Sequence, residues 1–209
     1  MRELLPAAVV RPPAAVGDIL RAAHDKRVAR IAIIDGYFER MAAVWHKEIL
    51  IALERGIEAW GAASMGALRA AELEGFGMRG VGEIFKLYKR SVITADDEVA
   101  VAHLPAEYGY RAVSDALVNI RWSLAVATDE GLIDPKLAAR LLIEAKATFY
   151  RDRVWKKLAP ELPLIDLKAA DARLLLQKLR RSGKAPRRKI PGLRVPRTWA
   201  LRQLERLML

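Results

Sequence analysis

The segment Gly61-Ala62-Ala63-Ser64-Met65-Gly66-Ala67-Leu68-Arg69-Ala70-Ala71-Glu72 carries the residue types best arranged for chemistry. A serine between a short apolar run and an Ala-rich helical run has the layout of a nucleophile elbow. In that turn, small residues two before and two after the serine let the chain bend sharply and lift the hydroxyl at a helix N-terminus. Here those positions are Ala62 and Gly66, a variant of G-x-S-x-G. The helix start supplies amide N–H groups and positive potential where an oxyanion would form, with the Met65 N–H as the natural donor. The bland alternative is that Ser64 only caps the helix, a favoured role for serine.

A serine nucleophile needs a base, and few residues qualify. His46 could accept the proton, Lys47 could do so if burial lowered its pKa, and His103 is the remaining choice. Each has an ordinary alternative: a satisfied structural histidine or a solvated helix charge. Asp35 closes a β-branched run, at the end of a strand where open α/β sheets gather ligand-binding groups. Asn119 and Arg121 interrupt an otherwise apolar helical run and read either as packing links or as site residues.

Two further motifs fail their context. Asp96-Asp97-Glu98 offers clustered carboxylates to a hard cation, but an extended chain would put Asp97 and His103 roughly 20 Å apart. A turn or N-cap cluster is the better reading, and no metal site is expected. Gly75-Phe76-Gly77-Met78-Arg79-Gly80 matches G-x-G-x-x-G literally, yet it follows a helix rather than a strand, so it reads as a loop and not a dinucleotide fingerprint.

The elements that must position these residues follow from hydrophobic periodicity. Val28–Ile34 is a buried parallel strand closed by Asp35-Gly36. Helical spacing runs from about Phe38 to Leu53 and stops at Arg55-Gly56. Ile57–Ala63 is a second strand feeding the Ser64 helix, which makes a βαβα unit. A glycine-rich loop at Gly75–Gly82 and a short helix at Glu83–Lys89 come next. Amphipathic helices are predicted at Val113–Ala127 and Lys136–Tyr150, the latter opened by Asp134-Pro135. Pro160 and Pro163 mark a linker, followed by basic helices at Asp171–Arg181 and Pro196–Leu207 with a solvated connector between them. The expected fold is α/β: a small parallel sheet flanked by helices, a helical C-terminal half and a basic helical tail. The expected domains are a core at 1–157 and an extension at 158–209, the latter dispensable for folding.

Composition narrows the classes. The 209-residue chain has no cysteine, which excludes disulfides, Cys-ligated zinc, iron–sulfur clusters and a thiol nucleophile, and it has only three histidines. No run approaches the roughly 20 apolar residues of a membrane span, and the acidic Glu3 sits in an N-terminus lacking a signal-peptide core. A cytoplasmic protein without a membrane partner is expected. The net charge of +11 is uneven: residues 1–150 hold 19 Lys+Arg against 20 Asp+Glu, and residues 151–209 hold 17 against 5. A near-neutral body with a basic tail argues against a nucleic-acid-binding fold, leaving RNA or an acidic partner to the tail alone.

Several blocks together resemble the TfuA family: Pro12-Pro13-Ala14-Ala15 with Gly17-Asp18, Ile33-Ile34-Asp35-Gly36-Tyr37-Phe38, Val44-Trp45-His46-Lys47-Glu48-Ile49-Leu50, Gly61 through Leu73, Gly77-Met78, Asp96 through Val101, and Val118-Asn119-Ile120-Arg121. The resemblance covers about residues 10–155. It implies a partner of YcaO cyclodehydratases in backbone thioamidation, of ribosomal peptide natural products or of methyl-coenzyme M reductase. ATP and Mg would then belong to the YcaO partner, with no cofactor in this chain. It further implies sulfide delivery from a thiocarboxylated ThiS-type carrier, and a Gly-Pro-[Ser/Thr] strand that the opening Met1–Pro6 does not supply.

Hydrolysis of a glycyl thiocarboxylate needs a nucleophile or activated water, a base, oxyanion donors and a cation. The expected catalytic set is Ser64, His46, Lys47, Asp35 and His103. The expected oxyanion and substrate-binding set is Met65, Gly66, Arg69, Glu72, Asn119 and Arg121. The competing class is a non-catalytic adaptor that recruits the carrier or peptide and stimulates the YcaO enzyme; release of sulfide by the purified chain separates the two. A homo-oligomer is compatible with the sequence.

Overall fold

A computed structural model describes residues 4–37 and 41–208. They form two compact units, one from the N-terminal part to Val92 together with Ala169 onward, the other Ile93–Lys168. The first unit is the α/β body expected from the sequence. Its sheet has strands β1 (Arg30–Ile33), β2 (Glu58–Ala62) and β3 (Arg79–Val81), all parallel and in the order β1-β2-β3. Helix α1 (Asp18–His24) precedes β1, α2 (His46–Glu54) links β1 to β2, α3 (Met65–Leu73) links β2 to β3, and α4 (Glu83–Lys89) follows β3. Across the β1–β2 pair, Arg30 is registered with Glu58 and forms a 2.8 Å ion pair with it.

β3 corrects the expectation of a loop at Gly75–Gly82. Three residues with a central glycine leave no apolar run to recognise, and that glycine has a packing reason. A Cβ on Gly80 would lie 2.0 Å from the Phe85 ring, so the strand admits Phe85 of α4 only because the side chain is missing. The helix expected from Phe38 begins instead at His46, with Trp45 in extended conformation as its N-cap; Phe38–Arg40 lie outside the described residues.

Glu48 explains where α2 starts. Its carboxylate, fully buried, accepts from the Trp45 N–H at 3.0 Å and from the N–H groups of Gly17 and Leu20 at 2.8 and 3.2 Å, tying the starts of α1 and α2 together. Burial pushes this carboxyl above the usual glutamate range, against the three amide bonds. A raised folded-state pKa gives stability that is complete below the unfolded value and is lost as pH rises through the folded one. In Glu48→Gln the NH2 group cannot accept from an amide, so the variant is expected to melt lower throughout. Its gap to wild type should narrow as pH rises from about 4. A gap that widens in thermal melts across that range would show the amide bonds outweighing burial.

The basic tail, expected to be dispensable for folding, packs into the first unit. Helix α8 (Leu167–Arg181) buries Leu175 and Leu179 against Ala62, Ala63 and Val81 at the end of the sheet. From the same helix, buried Asp171 accepts from the N–H groups of Glu83 and Ile84 at 2.9 and 2.8 Å, capping α4 from outside. The segment after Gly183 is anchored rather than solvated. Arg187 donates to the carbonyls of Val28 and Asp25, the Arg188 N–H donates to the Gly56 carbonyl, and Glu54 accepts from the Val195 N–H and from Arg197. Helix α9 (Trp199–Met208) then buries Leu201 and Leu204 and packs near α1. Arginines that looked solvated thus satisfy backbone carbonyls of the first unit.

The second unit contains α5 (Leu117–Asp129), α6 (Pro135–Ala147) and α7 (Trp155–Leu158) around Leu117, Ile120, Leu124, Ala145 and Trp155. Pro135 opens α6 as the sequence implied, and Asp134 caps it by accepting from the N–H groups of Lys136 and Leu137.

Candidate functional site

The turn from β2 into α3 is the sharpest feature of the first unit. The Ser64 N–H donates to the Ala62 carbonyl two residues back at 2.8 Å, and Ala63 between them has φ +69°. That is a γ-turn in the strained, positive-φ form, which a residue with a Cβ adopts only where the surroundings impose it. In a nucleophile elbow the serine itself occupies the strained turn. Here Ala63 does, and Ser64 follows as the N-cap residue, with φ −126° and ψ −125°.

Close approach of backbone holds the turn in place. A Cβ on Gly66 would lie 1.8 Å from the Ile33 carbonyl oxygen, and one on Gly61 would lie 2.0 Å from the Gly66 oxygen. The first turn of α3 thus lies directly on the ends of β1 and β2, the packing reason for glycine two residues after Ser64. The Ser64 N–H also donates to the Ile34 carbonyl at 3.2 Å. Covalent geometry then puts the Cα atoms of Asp35 and Ser64 within about 8 Å, at the carboxyl end of the sheet. Asp35 is exposed, and its carboxylate accepts from the Gly36 N–H.

Ser64 is 4% exposed and its side chain makes no capping hydrogen bond to α3. Met65 and Gly66 are buried as well. Neither of their amide N–H groups meets an acceptor among the described residues. Helix starts ordinarily have such N–H groups satisfied by a cap or by water. Buried beside a serine, they form the donor pair that an oxyanion would use.

The expected bases are distributed differently. His46, the first residue of α2, has Nε2 2.8 Å from Glu72 Oε2. Glu72 stands eight residues along from Ser64, about 12 Å up the axis of α3. Arg69 donates to the same Glu72 oxygen at 2.6 Å and, through Nε, to the Val44 carbonyl at 3.1 Å. Lys47 donates to Thr198 Oγ1 at 3.0 Å, a contact supplied by the tail and not legible in the sequence.

His103, Asn119 and Arg121 belong to the second unit. His103 Nδ1 is 2.9 Å from the Leu104 carbonyl, and its ring sits edge-on to Tyr110. Asn119 donates to Asp166 and accepts from the Lys168 N–H. Arg121 pairs with Glu98, which is 3% exposed. Asn119 and Arg121 thus both make polar contacts within the second unit. The acidic cluster forms a 3-10 turn at Asp96–Glu98, with Asp97 paired to Arg153.

A parallel sheet whose central strand turns through a strained residue into a glycine-pressed helix is an α/β frame with a candidate acyl-transfer site. The family model described as TfuA-like protein matches residues 35–154, more than half of the chain, and the chain belongs to that family. The matched range takes in Asp35, His46, Ser64 and the whole of α3, and stops before α8. No curated protein matches the chain. Membership is consistent with an accessory role beside YcaO-type partners. Among the described residues, no helix is long and apolar enough to cross a membrane.

Proposed function

We propose that the chain assists a YcaO cyclodehydratase in thioamide formation by hydrolysing the C-terminal thiocarboxylate of a ThiS-type carrier at the start of α3. The observation that carries this reading is the pair of buried, acceptor-less amides of Met65 and Gly66 beside Ser64. Attack on the thiocarboxylate carbon moves negative charge onto oxygen, where two amides and the helix dipole stabilise it. With Ser64 as nucleophile, Oγ forms an ester to the carrier glycine as its proton leaves and the C–S bond breaks, releasing hydrosulfide. Water then cleaves the ester, restoring the hydroxyl and leaving a carboxylate. Overall, thiocarboxylate and water give carboxylate and hydrogen sulfide. ATP and Mg²⁺ act in the YcaO partner, and the thioamidated peptide or methyl-coenzyme M reductase meets this chain only indirectly.

Lys47 is held by Thr198, which favours a second reading: an adaptor that brings carrier and YcaO enzyme together without chemistry of its own. Incubation of the purified chain with thiocarboxylated carrier, with free sulfide as readout, separates the two. Multiple-turnover release supports hydrolysis. No release, with stimulation of YcaO turnover intact, supports the adaptor.

A further inference from the structure

His46 and Glu72 meet across helices α2 and α3, and their geometry fixes a hydrogen. Two groups approach His46 Nε2: Glu72 Oε2 at 2.8 Å and Arg69 Nη1 at 3.3 Å. A carboxylate only accepts and a guanidinium only donates. The shorter contact is a hydrogen bond only if Nε2 carries a hydrogen. Arg69 supports that arrangement by donating to the same Glu72 oxygen, and its own side chain is 13% exposed and pinned to the Val44 carbonyl. In the neutral ring the bare nitrogen is then Nδ1. It meets no partner among the described residues, on a side chain 47% exposed.

We propose that Glu72 is a positioning residue that holds the hydrogen on His46 Nε2 and so makes Nδ1 the proton-accepting nitrogen of the site. The proposal takes its substrate from the hydrolytic reading above. Met65, Arg69 and Glu72 stand at i, i+4 and i+7, so they share one face of α3. In the hydrolytic reading Nδ1 is the nitrogen left to take a proton on that face, and the imidazolium that forms is stabilised across the ring by Glu72. The same proton is then available to the departing sulfur.

The test is the side-chain ¹⁵N spectrum of the neutral His46 ring in the full chain, recorded beside sulfide release. Wild type is expected to show the Nε2–H tautomer. In Glu72→Ala only Arg69 remains beside Nε2, so the hydrogen should move to Nδ1, and kcat should fall about tenfold or more with KM little changed. Glu72→Gln is the conservative control for folding. With its amide oxygen turned toward Arg69 it still accepts from Nε2–H, and should keep the tautomer and a rate above that of Glu72→Ala, though without the negative charge it stays below wild type. A wild-type ring protonated on Nδ1, or a spectrum unchanged in Glu72→Ala, overturns the proposal. A wild-type protein that releases no sulfide overturns the hydrolytic reading instead, while the ¹⁵N spectrum still decides where the hydrogen lies.

Discussion

A chain ending at Leu158 is expected to lose cooperative thermal melting. Truncation there removes Leu175, Leu176, Leu179, Leu201 and Leu204, all buried in the first unit. Each such leucine is worth about 2–5 kcal/mol on replacement by alanine, and a domain has only about 5–15 kcal/mol in total. The loss exceeds what a body of three short strands can absorb. Deletion of Asp171 also leaves the start of α4 without the acceptor for its Glu83 and Ile84 N–H groups. In the second unit, the Trp155 indole loses the Leu162 carbonyl and Asn119 loses Asp166. Calorimetry of the truncated chain checks this: a sharp transition near that of the full chain would mean that the tail only decorates a body complete without it.

Ser64→Ala should produce the largest functional effect for the smallest structural change. The side chain makes no capping hydrogen bond to α3, and even the loss of a hydrogen bond from the buried hydroxyl costs only about 1–2 kcal/mol. The Ala63 turn and the Gly66 contact with Ile33 are backbone features that the substitution leaves untouched. If Ser64 is the nucleophile, turnover should nevertheless fall by about 10³-fold or more. A small shift in melting temperature beside a large loss of rate is the signature of a reacting hydroxyl. A cap residue would give the reverse proportion.

Local sequence made part of this legible. β1 and β2 showed because a β-branched run ended at Asp35-Gly36 and a short apolar run led into the Ala-rich helix, features carried by adjacent residues. β3 did not, because its central Gly80 answers to Phe85 of the following helix, a packing relation with no periodicity. The leucines of α8 and α9 were visible at helical spacing, but what they cover is set by contacts 90 or more residues away. The same holds for the site. Ser64, Met65 and Gly66 were readable as one continuous motif, whereas the strained residue proved to be Ala63. Glu72 was singled out as a substrate-binding residue, but its contact with His46, 26 residues away, depends on how α2 lies against α3. Lys47 could not be weighed without Thr198, which lies 151 residues further on.

The central claim is that the start of α3 performs acyl transfer on a carrier thiocarboxylate. Its most direct measurement is the initial rate of sulfide release from thiocarboxylated carrier by wild type and by Ser64→Ala, at matched concentration and with both shown to be folded by their melting curves. Catalytic release by wild type, with a fall of about 10³-fold or more in the variant, is the expected result. Equal rates would contradict a serine nucleophile and leave water activated at His46 to do the chemistry, and no release from either protein would contradict the hydrolytic function itself.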